Sequence, residues 1–185
     1  WSLYTQIRDT PGVRLAIPYA TGDNFQGFRI VGTTADIFTK FNYQAGKAFA
    51  VRPGGRFFDE TRAEAVIGSF AAQKTGLKVG DTFHPAHGLA EEGGEEHHDE
   101  YTVVGVLEPT NSPSDRVVWI PIEGIFRMSG HHLRANGDDY QSKPGEAIPD
   151  EHKEVSAVML KFANPMTGFN LDATINKQGK VATLA

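Results

Sequence analysis

Residues 101–132 read YTVVGVLEPTNSPSDRVVWIPIEGIFRMSGHH, and this stretch decides the class of fold. Tyr101 to Leu107 is a short apolar run rich in valine, with the length and content of a strand buried on both faces. Pro109, Asn111, Ser112 and Pro113 then supply turn chemistry. Val117 to Ile120 forms a second apolar strand. Pro121 fits the first position of a helix running to about Met128, where a proline loses no hydrogen bond and presets φ.

The pattern continues on both sides. Upstream, Ala63 to Ile67 reads as another buried strand. Ser69 is placed to cap a helix containing Phe70, Ala71, Ala72 and Thr75, and Gly76 to close it in the left-handed conformation. Leu77 to Asp81 is a tight turn into the strand Thr82–Phe83. Nearer the start, Val13 to Ile17 and Phe28 to Val31 flank Thr21-Gly22-Asp23-Asn24, which predicts a hairpin with a longer loop. Thr34 or Asp36 can cap a short helix through Phe41, and Arg52 to Arg56 is a Pro/Gly loop. Downstream, 134–153 reads as a long polar loop, Val155 to Phe162 as a half-buried strand, and Asn164 to Asn170 as a turn. The tail from Leu171 has little apolar pattern. Short strands separated by brief helices predict an α+β fold.

Composition narrows the function. The 185 residues suffice for one domain or two small lobes. A formal net charge of −5, with basic residues that never form a run of three, argues against nucleic acid as a partner. The absence of cysteine removes disulfides, thiolate metal sites and cysteine nucleophiles together. No apolar run approaches the roughly 18–20 residues that cross a bilayer. A chain that opens Trp1-Ser2-Leu3, with neither a Met start nor a basic leader, suggests a segment excised from between flanking membrane helices, although a processed mature protein starts the same way.

The residues 84–100, HPAHGLAEEGGEEHHDE, break the pattern. They carry four of the seven histidines and six carboxylates around a Gly93-Gly94 tip. His84, His87, His97, His98 and Asp99 could approach one Zn²⁺, which takes nitrogen and oxygen ligands at about 2.0–2.2 Å. The spacing matches no fixed zinc motif, and a solvated acidic loop accounts for the same residues. His131 and His132 suit the end of a helix, where charged imidazoles meet its dipole favourably.

Catalytic signals are thin. No G-x-S-x-G elbow and no Walker loop is present, and Ser69 after Gly68 reads as a helix cap. Asp59, Glu60 and Glu64 could serve as acid/base carboxylates, but nothing in the sequence pairs them with a nucleophile. Asp115-Arg116 could form a charge pair or anchor a loop. No catalytic residue and no required cofactor is expected; zinc is the one candidate.

Several of these motifs fall in an order that resembles the extracytoplasmic (periplasmic core) domain of MacB/FtsX-type ABC-transporter permeases. They are Ile30-Val31-Gly32-Thr33-Thr34 with Asp36-Ile37-Phe38, then Gly55-Arg56-Phe57-Phe58, then Val66-Ile67-Gly68-Ser69-Phe70-Ala71-Ala72. Gly76-Leu77-Lys78-Val79-Gly80-Asp81, Val103 to Leu107, and Asp115 to Pro121 follow. The resemblance implies a two-lobed α+β domain that does no chemistry itself. A βαβ-containing, membrane-proximal lobe would comprise 1–44 and 116–185, and a mostly-β, Sabre-like lobe at 45–115 would be inserted in it. It also implies a second permease copy, a cytoplasmic ABC ATPase, and a periplasmic adaptor, lipoprotein or substrate protein as partners. The domain would lie in the periplasm or extracellular space, anchored in the cell membrane by flanking helices. The 84–100 and 134–153 segments depart from the family pattern, so no particular cargo is implied.

Overall fold

A computed structural model describes residues 1–86, 99–128, 146–178 and 182. Helix α1 (Ser2–Arg8) leads into strands β1 (Val13–Phe25) and β2 (Phe28–Thr33), short helix α2 (Asp36–Thr39) and a small hairpin of β3 (Asn42–Gln44) and β4 (Lys47–Ala48). Strand β5 (Glu64–Ile67), helix α3 (Ser69–Thr75), β6 (Thr82–Phe83) and β7 (Tyr101–Val106) follow. Strand β8 (Val118–Pro121), helix α4 (Ile122–Arg127), β9 (Ala157–Phe162) and helix α5 (Pro165–Gln178) complete the described chain.

Seven strands form one mixed sheet in the order β6-β7-β5-β8-β2-β1-β9. Strands β5 and β7 pair in parallel, as do β2 and β8. Parallel neighbours need a crossover, and α3 lies in the one from β5 to β7. The two parallel pairs meet where β5 runs antiparallel to β8, with Val66 opposite Trp119 and Ile67 opposite Val118. One ladder therefore joins 64–67, in the segment expected as an inserted lobe, to 118–121 in the flanking one.

Both faces of the sheet are covered, which is why its central strands are apolar throughout instead of alternating. One face buries Ile30, Ile67, Val103 and Ile120 against Ala71 and Ala72 of α3 and Ile122, Ile125 and Phe126 of α4. The other carries an aromatic cluster centred on Phe38 of α2. Phe57 stacks on it at 4.7 Å, and Phe49, Phe58 and Trp119 meet it edge-on at 5.7, 5.4 and 6.1 Å. These are the offset and T-shaped geometries that the ring quadrupole favours.

Several turns differ from the sequence reading. Strand β1 runs straight through Thr21–Asn24 and turns at Gln26 and Gly27, whose φ angles of +49° and +79° make the tight hairpin that follows strand twist. Between Thr21 and Asn24 the register gains one residue against β2, a bulge where a loop was expected. Helix α3 starts from Gly68, so Ser69 is its first helical residue and not its cap, while Gly76 closes it at φ +77° as expected. Helix α2 begins from Ala35 without a side-chain cap from Thr34 or Asp36; the Ala35 N–H donates instead to Glu60. The expected 164–170 turn and the weakly patterned residues from Leu171 to Gln178 are helix α5, docked where Leu171 and Thr167 are buried. Tertiary packing supplies what its polar sequence lacks.

Gly68 guards the β5–β8 junction. Its N–H donates to Val117 O at 2.8 Å, and a Cβ there would lie 2.5 Å from the Asp115 carbonyl carbon. Backbone cannot retreat as a flexible side chain can. Gly68→Ala should therefore cost about 1–3 kcal/mol of stability by overpacking, read as a lower urea midpoint; an unchanged midpoint would show that the junction yields.

Candidate functional site

The carboxylates that could have served as acids or bases are all engaged in holding the backbone. Arg56 forks onto the buried Glu64, with Nη1 donating to Oε2 at 2.6 Å and Nη2 to Oε1. The Asp59 N–H donates to the same Glu64 Oε2 at 2.9 Å. Hydrogen bonds from Arg56 hold the Glu64 carboxyl below the usual carboxylate range, against the opposing effect of burial. Asp59 in turn accepts from the Thr61 N–H and hydroxyl, and Glu60 accepts from Ala35. Together the three carboxylates pin the 56–64 connection, and with it Phe57 and Phe58, against the aromatic face.

Asp115 and Arg116 do not pair. Burial pushes the Asp115 carboxyl up, but donors outweigh it and hold it below its ordinary value: the Thr110 N–H and hydroxyl, the Asn111 N–H and the Ser69 side chain. The carboxylate ties α3 to the turn that delivers β8. Arg116 points elsewhere, its guanidinium 4.4 Å from the Phe70 ring centre.

The histidine segment is held at its base. Ala86 and Asn24 exchange backbone hydrogen bonds of 3.1 and 2.9 Å, and Asn24 Nδ2 adds a third to Ala86 O. The β1 bulge thus grips the start of 84–100. His84 Nδ1 lies 3.2 Å from the Asp99 backbone oxygen, and its Nε2 lies 3.9 Å from Glu100. Of the five residues expected around zinc, His84 and Asp99 are brought together, though the ring meets the carbonyl of Asp99 and not its carboxylate. His87, His97 and His98 lie outside the described residues, as do Gly93-Gly94, His131 and His132. Among the described residues no three His, Asp or Glu side chains group as a metal site.

One feature escaped the sequence reading. A groove of about 870 Å³ runs between α3 and the 109–115 turn, with Arg52 and Lys78 on its walls. Its cations come from segments far apart in sequence, so no run of charge marks it.

The depressed Glu64 carboxyl gives a signed pH dependence. A group whose folded pKa lies below its unfolded one stabilises the fold above the unfolded value, and that stability is lost as pH falls through the folded one. Stability should thus decline as pH drops below about 4.5. Glu64→Gln should be less stable at pH 7 and lose less between pH 5 and pH 3, with Asp115 contributing to the remaining slope. Parallel pH profiles for the two proteins would show that the Arg56–Glu64 fork does not contribute.

Comparison with known proteins identifies this fold. The extracellular domain of YknZ, a noncanonic ABC-type transporter from Gram-positive bacteria, superposes with a TM-score of 0.55 at 12% identity, covering 95% of this chain and 81% of that one. The periplasmic region of MacB from Actinobacillus actinomycetemcomitans gives 0.55 at 11% identity, covering 96% and 72%. No curated protein sequence matches. At such identities the likeness is one of fold. Residues 1–167 match the MacB-like periplasmic core domain family, which spans most of the chain. With its mixed sheet and its acid groups engaged as braces, the chain belongs to the MacB-like periplasmic core domains, a non-catalytic part of ABC-transporter permeases.

Proposed function

We propose that this domain transmits force. In the whole permease it would couple ATP hydrolysis by a cytoplasmic ABC ATPase to work on a substrate or partner outside the membrane. The family match across residues 1–167 carries this reading. A sheet buried on both faces and braced by Arg56–Glu64 and Asp115 suits a part that must move as a body. Among the described residues no helix is long and apolar enough to cross a membrane. In the whole permease, anchoring would fall to helices flanking this domain, and a second permease copy would supply the facing domain.

Antibody to this domain tests the placement in source cells. The native protein should run well above 20.2 kDa, stay in the membrane pellet after alkaline extraction, and be cleaved by protease added to the outer side of the membrane. A soluble band near the fragment's mass, or full protection from external protease, would overturn the reading.

A second reading, zinc capture by 84–100, draws on the juxtaposition of His84 with the Asp99 backbone. Isothermal titration with Zn²⁺ should then show saturable binding that falls at least about tenfold when His97 and His98 are both changed to Ala, in line with loss of liganding imidazoles. Equal binding by the variant would dismiss it.

A further inference from the structure

We infer that the cavity between α1, the 60–63 turn, the start of β7 and α4 binds a protonated primary amine. Its volume is about 670 Å³, within the roughly 300–1,000 Å³ of small-molecule sites. Tyr101 supplies the observation that points to a ligand. The residue is only 3% exposed, and its ring is held against Phe83 with centres 5.9 Å apart. Its hydroxyl has no hydrogen-bond partner among the described residues. That hydroxyl lies against Gly124, where a Cβ would strike it, and both residues line the cavity. Buried hydroxyls ordinarily find a partner inside the protein. Here the place of that partner is the cavity.

The charge around the hydroxyl is negative. Glu60, Asp99, Glu100 and Glu123 line the cavity, against Arg8, Arg62 and Arg127. Each arginine already has a carboxylate. Arg8 forks onto Asp9, Arg62 lies 3.7 Å from Asp59 and 3.9 Å from Glu64, and Arg127 lies 3.6 Å from Glu123. Of these partners only Glu123 belongs to the wall, so Asp9, Asp59 and Glu64 add negative charge just outside it. Glu100 lies 3.9 Å from His84, and the Trp1 ammonium donates to Lys153 O. Glu60 and Asp99 form no ion pair among the described residues. Burial pushes the Tyr101 hydroxyl up, and Asp99 and Asp23 push it further than Arg127 draws it back.

The chemistry favours an ammonium over a metal ion. No three His, Asp or Glu side chains among the described residues group closely enough to share one metal. An ammonium carries three N–H donors, which can reach a phenol oxygen and separate carboxylates one at a time. Trp1 and Tyr4, with ring centres 4.7 Å apart, give the cavity an apolar wall for the carbon chain behind the charge. A free amine and the lysine side chain of a partner protein present the same group. Such a site adds ligand capture to a domain proposed to transmit force, and stands whether or not that role holds.

Isothermal titration of the 185-residue chain tests it. The probes are cadaverine and a capped pentapeptide with lysine at its centre and glycine elsewhere, with neutral pentanediol as the control. At least one amine should bind saturably, and the stronger of the two tells a free amine from a partner's lysine; pentanediol should not bind. Glu60→Gln/Asp99→Asn should lose about tenfold or more in affinity. Tyr101→Phe should bind about threefold to tenfold more weakly, as the loss of one hydrogen bond requires. Its urea midpoint should not fall, because the hydroxyl removed has no partner within the protein. The inference is overturned if neither amine binds, if pentanediol binds as well, or if Tyr101→Phe binds like the parent. A lowered midpoint in Tyr101→Phe would overturn it too, by showing that the hydroxyl serves the fold. No membrane is needed, so failure here is a separate result from failure of the fractionation test.

Discussion

Val66 facing Trp119 and Ile67 facing Val118 join two parallel strand pairs into one sheet, and the other elements are arranged around that join. On one side stand β5 and β7 with α3 between them in the chain; on the other, β8 and β2 with α4 packed across them. The junction spans few residues, so its surroundings must be close-fitting. Gly68 lets the chain pass hard against Ser114 and Asp115, and the Asp115 carboxylate then fixes the turn from which β8 departs. Overpacking at such a point would be felt on both sides of the sheet.

The aromatic face follows from the same geometry. With 50–56 hydrogen-bonded along β7, the chain reaches Phe57 and Phe58 in position to meet Phe38. Gly105 permits that approach, since a Cβ there would strike the Arg56 carbonyl. Arg56 then turns its guanidinium onto Glu64 at the start of β5. Charge, aromatic packing and bare backbone are thus three aspects of one connection. All three hold the 56–64 connection in place, in keeping with a MacB-like periplasmic core domain.

Sequence motifs taken for family markers acquire physical reasons here. The glycine in Val66-Ile67-Gly68 is required by a crossing of backbones, and the one in Val103-Val104-Gly105-Val106-Leu107 by a neighbouring carbonyl. The Ser69 reading was off by one position because Gly68 itself is extended at φ −60° and ψ 147° and serves as the cap. Thr21-Gly22-Asp23-Asn24 looked like a turn by composition, yet it is a bulge that brings Asn24 to Ala86. Turn-forming residues mark departures from regular backbone, and a bulge is one of them.

Strand and helix positions from Glu64 to Arg127 were legible from apolar runs and glycine closures, because those signals are local and depend on backbone sterics; Pro121, expected as the first helical residue, instead ends β8 and caps α4. Length, charge and the lack of cysteine likewise limited the chemistry without reference to shape. Helix α5 was not legible, since its few apolar residues gain meaning only where Leu171 finds a buried place. Nor was the partnership of Asp115, which sequence proximity assigned to Arg116 and the fold gave to Thr110, Asn111 and Ser69. Arg52 and Lys78, brought to one groove from separate segments, belong to the same class. A sequence specifies its elements through neighbours along the chain, but charge and hydrogen bonding act through space, so which groups meet was decided only when the sheet closed.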